Sequence, residues 1–266
     1  MFVFLHLPKT AGHSFRAVAA RHFGAHRIAV VNGHDQFDAF VRRHRHGRWP
    51  FVQGHMPYGV AEHVCERGVY YVALREPVDR FLSDYYYICS SPGHPAHRLV
   101  HEHRITLRDF ARIPSPVHPF MHNAQVRRLC RYDLTRRGPG GERWWLLRDT
   151  FGAAELEEAK ETLATRVHAF GLFERMAESM AQFRALIGAA PGVIPRENVT
   201  RFRLAVDQLD ASTLDAICEA NRLDLELYEF ACRLADERSR ALDLRRRSER
   251  PAAFPSGRMP LERHAR

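Results

Sequence analysis

MFVFLHLPKTAGHSF, residues 1–15, is the stretch on which the reading of this chain turns. Residues 2–7 are an apolar run of strand length, and from residue 14 to 23 Phe15, Val18, Ala19 and His22 recur at helical spacing. Between them stand Pro8, Lys9, Thr10, Ala11, Gly12 and His13, a short link rich in small residues. A strand–turn–helix loop of this kind aims backbone N–H groups and a helix N-terminus at one point, which suits an anion. The loop of nucleoside-triphosphate enzymes places its lysine after the last glycine, as GK[ST]. Here Lys9 precedes Gly12, so that motif does not match.

Outward from this loop, strand and helix patterns alternate. Strands are predicted at residues 27–31, 51–54, 69–74 and 168–173. Helices are predicted at 78–88, with Pro77 at the first helical position, and at 154–167, 177–186 and 212–235. The alternation implies an α/β fold: a P-loop-like core with a central parallel sheet flanked by helices, and a helical C-terminal part. The expected organisation is one domain over residues 1–235 and a basic, unstructured tail over 236–266, where Arg, Ser and Pro accumulate. Residues 136–141, RRGPGG, read as an exposed loop.

With 45% apolar and 27% charged residues over 266 positions, the chain has the composition of a globular protein rather than a disordered one. A formal charge of +9 implies acidic partners: nucleotides, anionic glycans, nucleic acid or a membrane surface. Lys9 and Lys160 are the only lysines, which makes Lys9 conspicuous. The five cysteines form no CxxC, so neither a disulfide framework nor a metal site is expected, and a reducing compartment fits best. With no leader pattern and no run of membrane-spanning length, the expected location is cytoplasmic.

Two further stretches carry chemistry. In ALREPVDRFLSDYYY, residues 73–87, Arg75 ends a strand and Ser83 follows eight positions later on a helix. A strand-end guanidinium grips a phosphate bidentately, and a helix hydroxyl adds one bond. The place is also where open α/β sheets bind ligands. The plainer reading is that Arg75 pairs with Asp79 or Asp84. In FVQGHMPYG, residues 51–59, His55 lies in a glycine-flanked loop after a strand. An imidazole there has the pKa range of a general base. His6 and His13 compete for that role.

The motif at residues 8–14, PKTAGHS, resembles the 5′-phosphosulfate loop of sulfotransferases that use 3′-phosphoadenosine 5′-phosphosulfate (PAPS), and the Arg75/Ser83 pair resembles their 3′-phosphate signature. The carbohydrate branch of that family, which includes heparan sulfate and chondroitin sulfotransferases, places a histidine between the two, where His55 stands. The resemblance spans residues 2–235. It implies that Lys9, Thr10, Ala11, Gly12, His13, Ser14 and Phe15 cradle the 5′ end, that Lys9 neutralises charge on the leaving oxygen, and that Arg75 and Ser83 hold the 3′-phosphate. His55 becomes the base, no metal is needed, and the product is the bisphosphate PAP. HNAQVRRL, residues 122–129, resembles a family segment that lines the acceptor cleft through Asn123, Gln125 and Arg127. Residues 169–183 resemble a family strand–turn–helix, and 196–203 a loop that closes over the nucleotide. His13 departs from the small hydroxyl residue usual at its place. It either loses a phosphate contact or supplies one from its ring N–H. The implied acceptor is a glycan hydroxyl, with no nucleic acid as partner. The rival readings are a small-molecule kinase and a non-catalytic basic protein that binds polyanions.

Overall fold

The computed structural model describes residues 1–31, 40, 49–63, 67–113, 121–131, 151–195 and 203–248. Its framework is five short strands: β1 (Phe2–Leu5), β2 (Ile28–Val31), β3 (Phe51–Gly54), β4 (Val69–Leu74) and β5 (Ala169–Leu172). All pair in parallel, in the order β2-β3-β1-β4-β5. This is the expected sheet, at close to the expected bounds. Side chains alternate across it with the two-residue period of a strand. Phe4, Phe51, Tyr71 and Ala73 belong to one core cluster, while Val3, Leu5, Val52, Val72 and Leu74 are buried at the alternate positions. Both faces are therefore covered, as a parallel sheet requires.

Helices occupy the connections: α1 (Gly12–Phe23), α2 (Pro77–Ser90), α3 (His97–Glu102), α4 (Leu107–Arg112), α5 (Ala124–Leu129), α6 (Ala153–Glu161), α7 (Met176–Ile187), α8 (Ala211–Ala220) and α9 (Arg222–Ser248). α1 and α7 bring Phe15 and Phe183 onto Phe4 and Tyr71, with ring centroids 5.0 to 5.3 Å apart in the Phe4–Phe15, Phe15–Tyr71, Phe15–Phe183 and Tyr71–Phe183 pairs. A second cluster gathers Val78, Phe81 and Leu82 of α2 with Val100, Phe110 and Ile217. α2 begins as its sequence dictates. Pro77 takes the first turn, and the Glu76 carboxylate accepts from Val78 N (3.0 Å) and Asp79 N (2.6 Å).

The C-terminal helices differ from expectation. The helix read over 212–235 is two, divided at Asn221. That residue is fully buried, its Nδ2 donates to the Ile217 carbonyl, and its Oδ1 accepts from Arg80 Nη2. A side chain that competes this way for helix carbonyls ends α8. α9 then runs to Ser248, past the point where a tail was expected, because residues 236–248 supply Ala, Leu, Glu and Arg, all good helix formers. The helix read over 154–167 is α6 followed by a π-helical turn, Thr162–Arg166. The stretches 136–141, 196–202 and 249–266 lie outside the described residues. Met1–Cys232 forms one compact unit and Arg233–Arg266 a second, whose described residues all belong to α9.

Candidate active site

Strand order reverses about β1, with β3 and β2 on one side and β4 and β5 on the other. Ligands of open α/β sheets bind outside the carboxyl ends of the strands at such a point. Three loops leave those ends side by side: residues 55–59 from β3, 6–11 from β1, and Arg75 with Glu76 from β4. At about 4.8 Å per strand spacing, the outer two loops start about 10 Å apart. The sequence could not supply this adjacency, and the topology does.

The middle loop closes on itself. Thr10 is fully buried and its hydroxyl donates to the Leu7 carbonyl at 2.9 Å. Expected to face a phosphate, it commits its proton to the loop instead. Lys9 (φ 68°) and Ala11 (φ 61°) take left-handed backbone although neither is glycine. That conformation costs an L-residue about 1–2 kcal/mol and persists where surrounding contacts impose it, often at ligand sites. The Ala11 carbonyl accepts from Ser14 N at 2.9 Å and starts α1, whose first turn holds no acidic residue. Ser14 is buried at this turn, while the Phe15 side chain goes to the aromatic core and leaves only its backbone near the loop. At Gly12 a Cβ would lie 1.9 Å from His6 Nε2, so any side chain there has to displace that ring. His13 is exposed, with Arg16 Nη2 3.1 Å from its Nδ1.

Lys9 Nζ lies 4.1 Å above the Tyr87 ring of α2. Burial lowers its pKa, Asp84 opposes that shift, and the Arg75 and Arg203 charges add to it. Arg75 joins this loop directly: its Nη1 donates to the Lys9 carbonyl at 2.7 Å. Its Nε and Nη2 both donate to Asp79 Oδ2, at 2.9 and 2.5 Å, and its guanidinium lies 4.0 Å over the Phe173 ring. The Arg75–Asp79 pairing considered from the sequence is thus real, and it coexists with the contact to Lys9. Arg203 Nη1 bonds the other Asp79 oxygen. Burial alone would raise the Asp79 pKa, but Arg203 and Arg75 outweigh it and hold the carboxylate below its ordinary value. Asp79, Ser83 and Tyr87 fall at i, i+4 and i+8 on one face of α2. Ser83 is buried there between the residue that grips Arg75 and the ring beneath Lys9.

On the other side of the loop, His55 Nδ1 lies 2.9 Å from the His6 carbonyl. A carbonyl only accepts, so Nδ1 carries the proton and Nε2 keeps the basic lone pair. The two imidazoles stack, with centroids 4.8 Å apart and planes 28° from parallel. His6 itself is buried, its ring is packed on Gly12, and burial together with His55, His13, Arg128 and Arg16 holds its pKa well below the ordinary value. His55, partly exposed, is the better placed of the two to meet a substrate.

The three residues expected to line an acceptor cleft do other work. Asn123 Oδ1 accepts from Leu223 N and Asp224 N at the start of α9. Gln125 is fully buried against the Arg75 backbone. Arg127 is buried, its Nε donating to the His122 carbonyl and its guanidinium lying 4.2 Å over the Phe151 ring. The physical reason is the short α5, which is buried along its length, so its polar side chains turn inward. Sequence reading missed Phe173 and Tyr87 as partners of the two cations, since aromatic residues carry no signal of that use. Asp79 was legible as an i+4 partner of Arg75.

Among the described residues no group of three or more His, Cys, Asp or Glu side chains could hold a metal ion, and no helix is long and apolar enough to cross a membrane. A strand-end arginine and a lysine loop thus meet at the switch point of a parallel sheet, a place suited to an anion. The model of the sulfotransferase family matches residues 1–231, and the chain belongs to that family. It is accordingly an enzyme of sulfuryl transfer. No curated protein matches it.

Proposed function

We propose that this enzyme moves a sulfuryl group from PAPS to a hydroxyl of a carbohydrate acceptor and releases PAP. The observation that carries the reading is the 2.7 Å bond from Arg75 to the Lys9 carbonyl, because it joins the two donor motifs within reach of one nucleotide. Lys9 and the leading amides of α1 take the 5′ end, and Arg75 with Ser83 takes the 3′-phosphate. The acceptor oxygen attacks sulfur while His55 Nε2 removes its proton. The bond from sulfur to the bridging oxygen breaks, its electron pair stays on the phosphate, and Lys9 meets the charge that develops there. Positioning and charge stabilisation then supply the catalysis, as in phosphoryl transfer. The +9 charge and the likeness of the His55 loop to the carbohydrate branch support a glycan acceptor.

Calorimetry with adenosine 3′,5′-bisphosphate and with ATP tests the donor. The bisphosphate is expected to bind more tightly, and a preference for ATP would sink the reading in favour of a kinase. A panel of glycans incubated with labelled donor tests the acceptor by the mass gain of one sulfate. Incorporation only into non-carbohydrate hydroxyls would remove the glycan while keeping the donor.

A further inference from the structure

Arg75 stands one step past the end of the ladder. β1 pairs Leu5 with Val72, β5 pairs Leu172 with Leu74, and neither register reaches Arg75. Its buried main-chain N–H and C=O nevertheless require partners. Both find the same one: Arg75 N donates to Gln125 Oε1 at 3.0 Å, and Gln125 Nε2 donates to the Arg75 carbonyl at 2.9 Å. The carboxamide acts as one extra rung of sheet supplied by a side chain. Gln125 is itself fixed. It is fully buried, and its own N–H donates to both carboxylate oxygens of Asp224, at 3.1 and 3.0 Å.

We infer that Gln125 is a positioning residue that sets the backbone of Arg75, and through it the angle at which the guanidinium meets a 3′-phosphate. The inference rests on the proposed nucleotide site. It replaces the acceptor-lining role expected of Gln125 by one on the donor side. With the backbone pinned by Gln125, the guanidinium starts from one orientation, held by Asp79, the Lys9 carbonyl and Phe173. Without the rung, the strand end relaxes and the fork loses its aim, while the Thr10–Leu7 bond that closes the lysine loop on itself is kept.

The test compares adenosine 3′,5′-bisphosphate with adenosine 5′-monophosphate, whose affinity ratio reports the 3′-phosphate contact alone. The wild-type chain is expected to favour the bisphosphate. Arg75→Ala abolishes that preference, and Gln125→Met, which keeps volume without the two bonds, reduces the ratio about tenfold, a loss of about 1.4 kcal/mol. In the Arg75→Ala background Gln125→Met removes nothing further, the non-additivity of residues that act as a unit. Should Gln125→Met fail to fold, Gln125→Asn, which shortens the reach of the amide, carries the same expectation. A Gln125 variant that keeps the wild-type ratio, or weakens both nucleotides alike, overturns the inference. A wild-type chain with no preference removes the nucleotide site itself, and the role of Gln125 with it.

Discussion

The hydrogen bond from His55 Nδ1 to the His6 carbonyl leaves Nε2 as the one nitrogen able to take a proton, and in the proposed reaction Lys9 serves the leaving side of the transfer. His55→Ala is expected to lower turnover about 10²–10⁴-fold, the usual worth of a general base. Lys9→Ala is expected to lower it about 10²–10³-fold, the worth of one charge-stabilising group. Turnover of either variant within a few-fold of wild type, in a transfer assay, would strip that residue of its role. His6 adds a pH dependence to stability. Its folded pKa lies below its unfolded one, so on acidification the unfolded chain takes up the proton first. Its contribution is complete above about pH 6.5 and declines as pH falls from there toward the folded value. Denaturant titrations from pH 8 to 5 should show this decline, and His6→Phe should flatten it. Lys9, Arg75 and His55 could be singled out beforehand because each ends or follows a readable strand. That the Thr10 hydroxyl turns inward and that Tyr87 supports Lys9 depended on loop closure and helix docking, which leave no local pattern.

Among the elements, α5 and α9 hold each other. Asn123 before α5 takes two amides at the start of α9, and Asp224 in the first turn of α9 takes Gln125 N and Val126 N. Burial raises the Asp224 pKa, while Arg80 and the Val126 and Gln125 amides pull it back. Asp224→Ala strands those amides and leaves buried Arg80 without that charge, a change expected to cost about 3–5 kcal/mol in chemical denaturation. A loss under about 1 kcal/mol, the scale of an ordinary exposed cap, would show that the buried charge matters little. α5 was visible in the sequence only as a likeness to a family segment. At six residues it is too short to carry a readable apolar period, and its inward-facing Gln and Arg look like surface residues. α1 was legible from its apolar spacing and α2 from Pro77 at its first turn.

Across the whole molecule, switch-point topology brings three sequence-distant loops together, and the close approach demanded there is visible at two glycines. A Cβ on Gly54 would lie 1.8 Å from the Val31 carbonyl, and one on Gly12 would strike His6. Gly12→Ala is therefore expected to lower both the melting temperature and the transfer rate, since the stacked histidines must shift to make room. The cost should fall in the overpacking range of about 1–3 kcal/mol. An unchanged melting temperature would mean that the His6–Gly12 contact is not tight. The sequence alone determined the parallel α/β class, the strand bounds, and the identity of the loop lysine, the strand-end arginine and the loop histidine. Those follow from apolar periodicity and turn chemistry, which act over a few neighbouring residues. Tertiary structure alone decided that Arg75 meets Lys9, that His6 sets the tautomer of His55, and that Gln125 bonds the Arg75 backbone. Each of these contacts joins residues brought together by strand order and helix burial, and no short-range pattern in a chain encodes such a meeting.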